Sequence, residues 1–178
     1  MNYASIRLMD ISNGEGIRTS LFVSGCTNNC PNCFNRELRD FDYGQLYTSD
    51  TEQLILNQLS KPYVAGLSIL GGDPLCQDAE GEMELITLIT KARNINKNIW
   101  LWTGFTWEDK FKPNPKNWME ELDFGLLASC DVVVDGPYVD SLKNLRLQWR
   151  GSSNQRIIDV EKTLNANKII LYKDGEYT

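Results

Sequence analysis

The chain has 178 residues, with 18 lysines and arginines against 24 acids, a formal net charge of −6 and no histidine. Such an acidic chain repels the nucleic-acid backbone, so no nucleic-acid partner is expected. The missing imidazole excludes a Ser–His–Asp triad and a histidine general base, and removes the commonest zinc and copper ligand.

A hydrophobic share of 42% and this length suit a single domain over residues 1–178. No apolar run approaches the roughly 20 residues of a membrane helix, so no membrane partner is expected. The opening MNYASIRLMD lacks a basic region followed by an apolar stretch, which makes a cytoplasmic location the expectation.

In chain order, Ile17 to Ser24 reads as a buried strand running into a cysteine-rich loop. Asp50 to Ser60 has an acidic start and apolar residues at Leu54, Ile55 and Leu59, the pattern of a helix. Gly66 to Leu70 is a short strand ending in Gly71-Gly72. Glu82 to Arg93 carries Met83, Ile86 and Ile89 in helical spacing, with Leu85, Leu88 and Ala92 widening the stripe. Asn98 to Trp102 is a strand on which Trp100 and Trp102 share a face. Lys110 to Lys116, with two prolines, is a surface loop. Asn117 to Leu127 is a helix, Asp131 to Asp135 a β-branched strand, and Lys168 to Tyr172 the last strand.

Strands alternating with helices imply βα units around a mainly parallel sheet, and ligands bind beyond the carboxyl ends of such strands. The cysteine loop, Gly71-Gly72, Thr103-Gly104 and Asp135-Gly136 all follow predicted strands, so they are expected along one edge.

Cys26, Cys30 and Cys33 have the spacing CxxxCxxC. Thiolates are soft donors that select iron–sulfur clusters, zinc or cuprous ions. Three of them hold three corners of a cubane and leave the fourth iron open, whereas electron-transfer ferredoxins close that corner with a fourth cysteine. A structural zinc site usually has four ligands, with a second pair of cysteines or a histidine, and neither is present here. Dithiol redox chemistry at Cys30 and Cys33 would leave Cys26 unexplained. Cys76 and Cys130 read as small core residues.

CxxxCxxC resembles the signature loop of the radical S-adenosylmethionine superfamily. Leu70-Gly-Gly-Asp-Pro-Leu75 resembles its Gly-Gly-Glu-Pro motif, and Asn13-Gly-Glu-Gly-Ile-Arg18 resembles a stretch of glycyl-radical activating enzymes. Trp149-Arg-Gly-Ser-Ser-Asn-Gln155 resembles the activating component of the anaerobic (class III) ribonucleoside-triphosphate reductase. The resemblance runs from about Asn13 to Gln155.

The resemblance implies a truncated, open (β/α) partial barrel, because a complete eight-unit barrel takes about 250 residues. It implies one [4Fe–4S] cluster on Cys26, Cys30 and Cys33, whose open iron chelates S-adenosyl-L-methionine. One electron, from a donor such as a flavodoxin, then gives methionine and a 5′-deoxyadenosyl radical. That radical takes a hydrogen atom from a glycine of the large reductase subunit, leaving a glycyl radical. Such chemistry is borne by the cofactor and requires no protein base.

Gly71 and Gly72 would bring backbone carbonyls to the methionine ammonium, with Asp73 adding negative charge; Gly-Gly-Asp-Pro is also ordinary turn composition. The superfamily's aromatic residue before the third cysteine is Asn32 here, so Phe34 is expected against the adenine, with Asn32 offering polar contacts. Thr103 is expected near the ribose or carboxylate. Arg18 pairs either with a ligand carboxylate or in a structural ion pair. Arg150, Ser152, Asn154 and Gln155 are expected to meet the partner, a solvated loop being the plainer reading. The alternatives are an activase of another glycyl radical enzyme, such as pyruvate formate-lyase, and a non-catalytic iron–sulfur electron-transfer module.

Overall fold

The computed structural model describes residues 1–175. It is a mixed α/β fold built on one open seven-stranded sheet, in the order β3-β1-β2-β4-β5-β6-β7. Strands β1 (Asn2–Asp10) and β2 (Arg18–Val23) pair antiparallel, and β3 (Gln45–Leu46) borders β1. Helix α1 (Ser49–Leu59) leads to β4 (Gly66–Gly71), α2 (Ala79–Asn94) to β5 (Asn98–Trp102), and α3 (Trp107–Lys110) with α4 (Trp118–Ala128) to β6 (Val132–Asp135). Strands β2, β4, β5 and β6 run parallel as the centre of the sheet. β7 (Arg156–Asp159) returns antiparallel on β6, and α5 (Val160–Ala166) follows it.

The helices begin where side chains can satisfy their free N–H groups. Thr48 accepts from Thr51 N before α1, Asp78 from Gly81 N before α2, and Asn117 from Glu120 N before α4. Acids occupy the first turns and Lys91 and Arg93 the last turn of α2, in keeping with the helix dipole.

Period-two alternation in the central strands sorts the two faces of the sheet. Leu21 and Val23, Leu67 and Ile69, Ile99 and Leu101, and Val133 meet the apolar stripes of the helices in one core. The opposite face carries Trp100, Val132 and Val134, covered by Trp102, Trp149 and Tyr172. Trp100 lies 4.9 Å from Trp149 and 5.2 Å from Tyr172 between ring centroids, both edge-on, so it is core as its strand position suggested.

Arg18 opens β2 in the interior, with 1% of its surface exposed. It donates to Ser68 Oγ at 2.6 Å, to Leu67 O at 2.7 Å, to Asn98 Oδ1 and O, and to Glu15 O, with its guanidinium over the Trp100 ring. It is therefore closed off from the cleft, and among the described residues it forms no ion pair. Its charge is dispersed over carbonyl and hydroxyl dipoles, and burial lowers its pKa to about 10.

Lys168 to Tyr172 is not a strand. Its ladder is one bridge, Ile158 to Leu171, with Asp159 N donating to Ile170 O. Thr163 Oγ1 takes the Ile170 N–H at 2.9 Å, and the chain then turns into a 3₁₀ segment at Tyr172–Gly175 that brings Tyr172 onto Trp100. The run has strand-like composition, but its pairing on β7 is confined to that bridge because β7 is only four residues long and the chain turns away at Tyr172.

Glu82, in the first turn of α2, is fully buried; among the described residues no N–H or hydroxyl donor meets its carboxylate, and its polar neighbour is the Asp123 carboxyl, with which it can share a proton. Burial, reinforced by the nearby charges of Asp123 and Cys76 and opposed by Lys110, pushes its pKa from 4.5 up to about 8. Lys110 Nζ itself pairs with Asp123 at 3.0 Å. The folded state thus binds a proton that the unfolded chain releases above 4.5. The contribution is whole below that pH and is lost as pH rises through about 8. Glu82→Gln is expected to remove this decline, gaining on the order of 2–4 kcal/mol over wild type near pH 8.5 and little near pH 5. Urea midpoints across that range measure it, and parallel curves for the two proteins would refute it.

Candidate active site

The four parallel strands deliver their carboxyl-terminal loops to one edge, as the strand order anticipated. Together they line a cleft of about 600 Å³, within the usual range for small-molecule sites. Cys26, Cys30, Cys33 and Phe34 come from the loop after β2, Gly71, Gly72 and Asp73 from that after β4, Thr103 and Gly104 from that after β5, and Gly136 from that after β6. Trp149, Arg150 and Gln155 close one side.

Apart from Asn32, the residues that hold the cysteine loop are ones that the sequence did not single out. Asn29 and Asn32 take left-handed backbone at φ 40° and 55°, which asparagine tolerates better than most residues. Arg39 donates to Asn29 Oδ1 at 2.9 Å and to the Cys30 carbonyl, and Asn35 donates to Gly71 O at 3.0 Å. Gly25 N and Cys26 N donate to Leu38 O and Arg39 O, so the chain after Cys33 folds back over its start.

The glycine pair is needed because backbones meet there. A Cβ on Gly72 would stand 2.4 Å from Gly25 O, and one on Gly71 would stand 2.6 Å from Val23 O while forcing a side chain onto φ +115°. The glycines press the turn after β4 against the start of the cysteine loop.

Asp73 ties three of the loops together. Only 1% exposed, its carboxylate accepts from Asn28 Nδ2 at 2.7 Å, Gly104 N at 2.8 Å, Thr103 Oγ1 at 2.9 Å and Leu75 N at 3.0 Å. Burial first, then the neighbouring charge of Cys76, pushes its pKa up to about 7 against the pull of these donors.

The other predicted residues divide. Phe34 is 96% exposed at the cleft mouth. Asn32 points across to Asp140, donating at 2.8 Å. The segment from Arg150 to Gln155 bonds largely to itself and to the turn after β6. Gln155 Oε1 accepts from Gly151 N and Ser152 N, its Nε2 donates to Gly136 O, Asn154 donates to Pro137 O, and Arg150 donates to Gln155 O. Ser152 is buried, with its hydroxyl accepting from Val139 N. Arg150 and Gln155 face the cleft, whereas Ser152 shapes the loop.

Cys130 lies in the core, but Cys76 does not, contrary to expectation. Its Sγ accepts from Thr27 N at 3.3 Å, and the Cys26 Sγ, Cys76 Sγ and an Asp73 carboxylate oxygen lie within 4.8 Å of one another. Hydrogen bonding from Cys26, and then from Thr27, favours the thiolate at Cys76, while hydrogen bonding to Cys76 and burial raise Cys26.

The donor set fits an iron–sulfur cubane better than a single ion. Among the described residues, Cys26, Cys30 and Cys33 do not form a group closing to within 4.8 Å, as ligands of one ion would. Three corners of a cluster call for separated thiolates. No other cysteine lines the cleft among the described residues, and Asp73 is already bound by four donors, so a fourth iron would stay open toward the cleft.

Comparison with known proteins agrees with this chemistry. Residues 12–158 match the family described as a 4Fe-4S single cluster domain. An anaerobic ribonucleoside-triphosphate reductase-activating protein of Enterobacteria phage T4 is 40% identical, over 88% of this chain and 93% of its own length. Proteins of the same name from Escherichia coli (strain K12) and Vibrio cholerae are 38% and 34% identical, over 87% and 88% of this chain and 96% and 97% of their own. With the cluster loop, glycine turn and cleft inside the matched span, the chain belongs to the family of anaerobic ribonucleoside-triphosphate reductase-activating proteins.

Proposed function

We propose that the chain is the radical S-adenosylmethionine activase of an anaerobic ribonucleoside-triphosphate reductase, with Cys26, Cys30 and Cys33 holding its [4Fe–4S] cluster. The observation that carries the site is the placement of these three thiols, without a fourth cysteine, along the wall of one cleft at the strand ends. When bound and reduced, the cluster supplies reductive cleavage of S-adenosylmethionine and thereby a hydrogen-abstracting radical for a glycine of the reductase's large subunit.

The chain's own residues bind, orient and exclude water. The Gly71-Gly72 main chain lies beside the cysteine loop because no side chains intervene, and its carbonyls are the acceptors for the methionine ammonium, with Gly71 O already accepting from Asn35 through one lone pair. Thr103 and Asp73 fix the floor of the cleft, Phe34 stands exposed at its mouth to cover an adenine, and Asn32, which donates to Asp140, offers polar contacts beside it. The open edge of the sheet, with Arg150, Ser152, Asn154 and Gln155 at the side, is the approach for the partner's glycine-bearing segment. A single electron-transfer partner of the flavodoxin type supplies the reductant.

The arrangement of helices on one face of an open sheet, with Arg18, Ser20, Ser68 and Trp100 on the other, supports a truncated partial barrel. The relatives' names favour this reading over a pyruvate formate-lyase activase. Among the described residues no helix is long and apolar enough to cross a membrane.

The test is anaerobic reconstitution with iron and sulfide, reduction, and addition of S-adenosylmethionine with the cognate reductase. Production of 5′-deoxyadenosine and a glycyl doublet in electron paramagnetic resonance is expected. A fully loaded cluster that yields no 5′-deoxyadenosine defeats the radical reading, and 5′-deoxyadenosine without the doublet defeats the choice of partner.

A further inference from the structure

Cys76 follows the glycine turn, fifty positions after Cys26, yet its sulfur meets that of Cys26. The contact is built by the sheet. Parallel pairing of β2 with β4 sets Val23 opposite Gly71, so the segments leaving the two strands start side by side. Asp73 N then donates to Gly25 O at 2.8 Å, and Gln77 Nε2 donates to Ser24 O at 2.9 Å, locking the turn to the root of the cysteine loop. Thr27, next to Cys26, holds Cys76 Sγ through its backbone N–H and its hydroxyl, at 3.3 and 3.2 Å. Both thiols are partly exposed, unlike Cys130.

We propose that Cys76 is a resolving cysteine for Cys26: once the cluster is lost, the two thiols close into a reversible disulfide that spares the ligand from irreversible oxidation. The proposal rests on Cys26 being a cluster ligand. A cysteine beside a metal-ligand cysteine, but absent from the cleft wall, has no evident task in holding the cluster. It is well placed for the chemistry that follows cluster loss.

The oxidant is a peroxide. One thiolate attacks its O–O bond, which breaks to give a sulfenic acid and hydroxide. The second thiol attacks that sulfur, an S–S bond forms, and the sulfenic oxygen leaves as water. The two cysteines together lose two electrons and two protons, and the peroxide becomes two waters. Without a neighbour, a sulfenic acid goes on to sulfinic acid, which dithiols do not reduce. Either cysteine can be oxidised first, because both orders end in the same bond.

The experiment starts from the cluster-loaded full chain, stripped of iron by a chelator under argon and treated with a several-fold excess of hydrogen peroxide, since a disulfide consumes one peroxide and a sulfinic acid two. Non-reducing peptide mass spectrometry is expected to find Cys26 joined to Cys76. Dithiothreitol followed by iron and sulfide should then restore the cluster absorbance. In Cys76→Ala the same treatment should leave Cys26 as sulfinic acid, with recovery of the cluster at least roughly fivefold lower. A link only between Cys30 and Cys33, or equal recovery in the variant, overturns the proposal. The cross-link is read by mass and is independent of S-adenosylmethionine cleavage. A protein that forms it but makes no 5′-deoxyadenosine would therefore refute the proposed activity and leave this pairing intact.

Discussion

Cys30→Ala and Cys33→Ala are each expected to keep the fold and lose the cluster, with bound iron and sulfide falling roughly tenfold or more after reconstitution. Both thiols are partly exposed on a loop, so truncation leaves no core cavity, and the loop keeps its ties through Arg39 and Asn35. Cys130→Ala should show the reverse. Its side chain is 3% exposed among core residues, with Sγ donating to Leu126 O at 3.3 Å, so iron loading should stay whole while stability falls by about 1 kcal/mol. Cys76→Ala should load iron like the wild type, because its thiol lies outside the cleft wall. Absorbance, iron content and urea midpoints on the four variants separate ligand, core and neighbour. Iron loss in Cys76→Ala would show that the ligand set has four members.

What could be read from the sequence was local. CxxxCxxC declares its chemistry because three soft donors within one loop need no tertiary information to be recognised. Helices α1 and α2 were legible from apolar spacing, and α4 was placed from Asn117 on, but the Asp78 cap that starts α2 three residues before Glu82 was not read. The strand ends were legible as one edge because βα alternation fixes where loops emerge. The relation of Cys76 to Cys26 was not, since it depends on the register of β2 on β4. Strand β1 escaped for a different reason. It is antiparallel near the sheet's border, with much of Asn2–Asp10 in contact with water, and its mixed composition has no clean alternation. β7 and α5 are only four and seven residues long, too short for periodicity to register. Arg18 misled because an arginine in a glycine-rich stretch suggests an anion, whereas carbonyls and hydroxyls of the sheet surround it.

Asp73→Ala is expected to be the most disruptive single change at the site outside the cysteines. Four donors converge on this carboxylate from three chain segments: Asn28 in the cysteine loop, Leu75 in its own turn, and Thr103 and Gly104 after β5. Each buried donor left without an acceptor costs about 1–3 kcal/mol, and water entering through the cleft can satisfy some of them. A loss on the order of 4 kcal/mol in the cluster-free protein follows, large for one substitution. Because Asn28 lies between Cys26 and Cys30, the same change should speed iron loss to a chelator in the loaded protein. Asp73→Asn should fall between, since its amide oxygen still accepts from Gly104 N or Leu75 N while the Thr103 hydroxyl can rotate to accept from the new N–H. A carboxylate whose main task was to meet the ligand's ammonium would behave differently. Asp73→Ala would then weaken S-adenosylmethionine binding with the urea midpoint and chelator half-life unchanged. The inward hydrogen bonding of Asp73 predicts the first pattern, in which this acid holds the loops that hold the ligand.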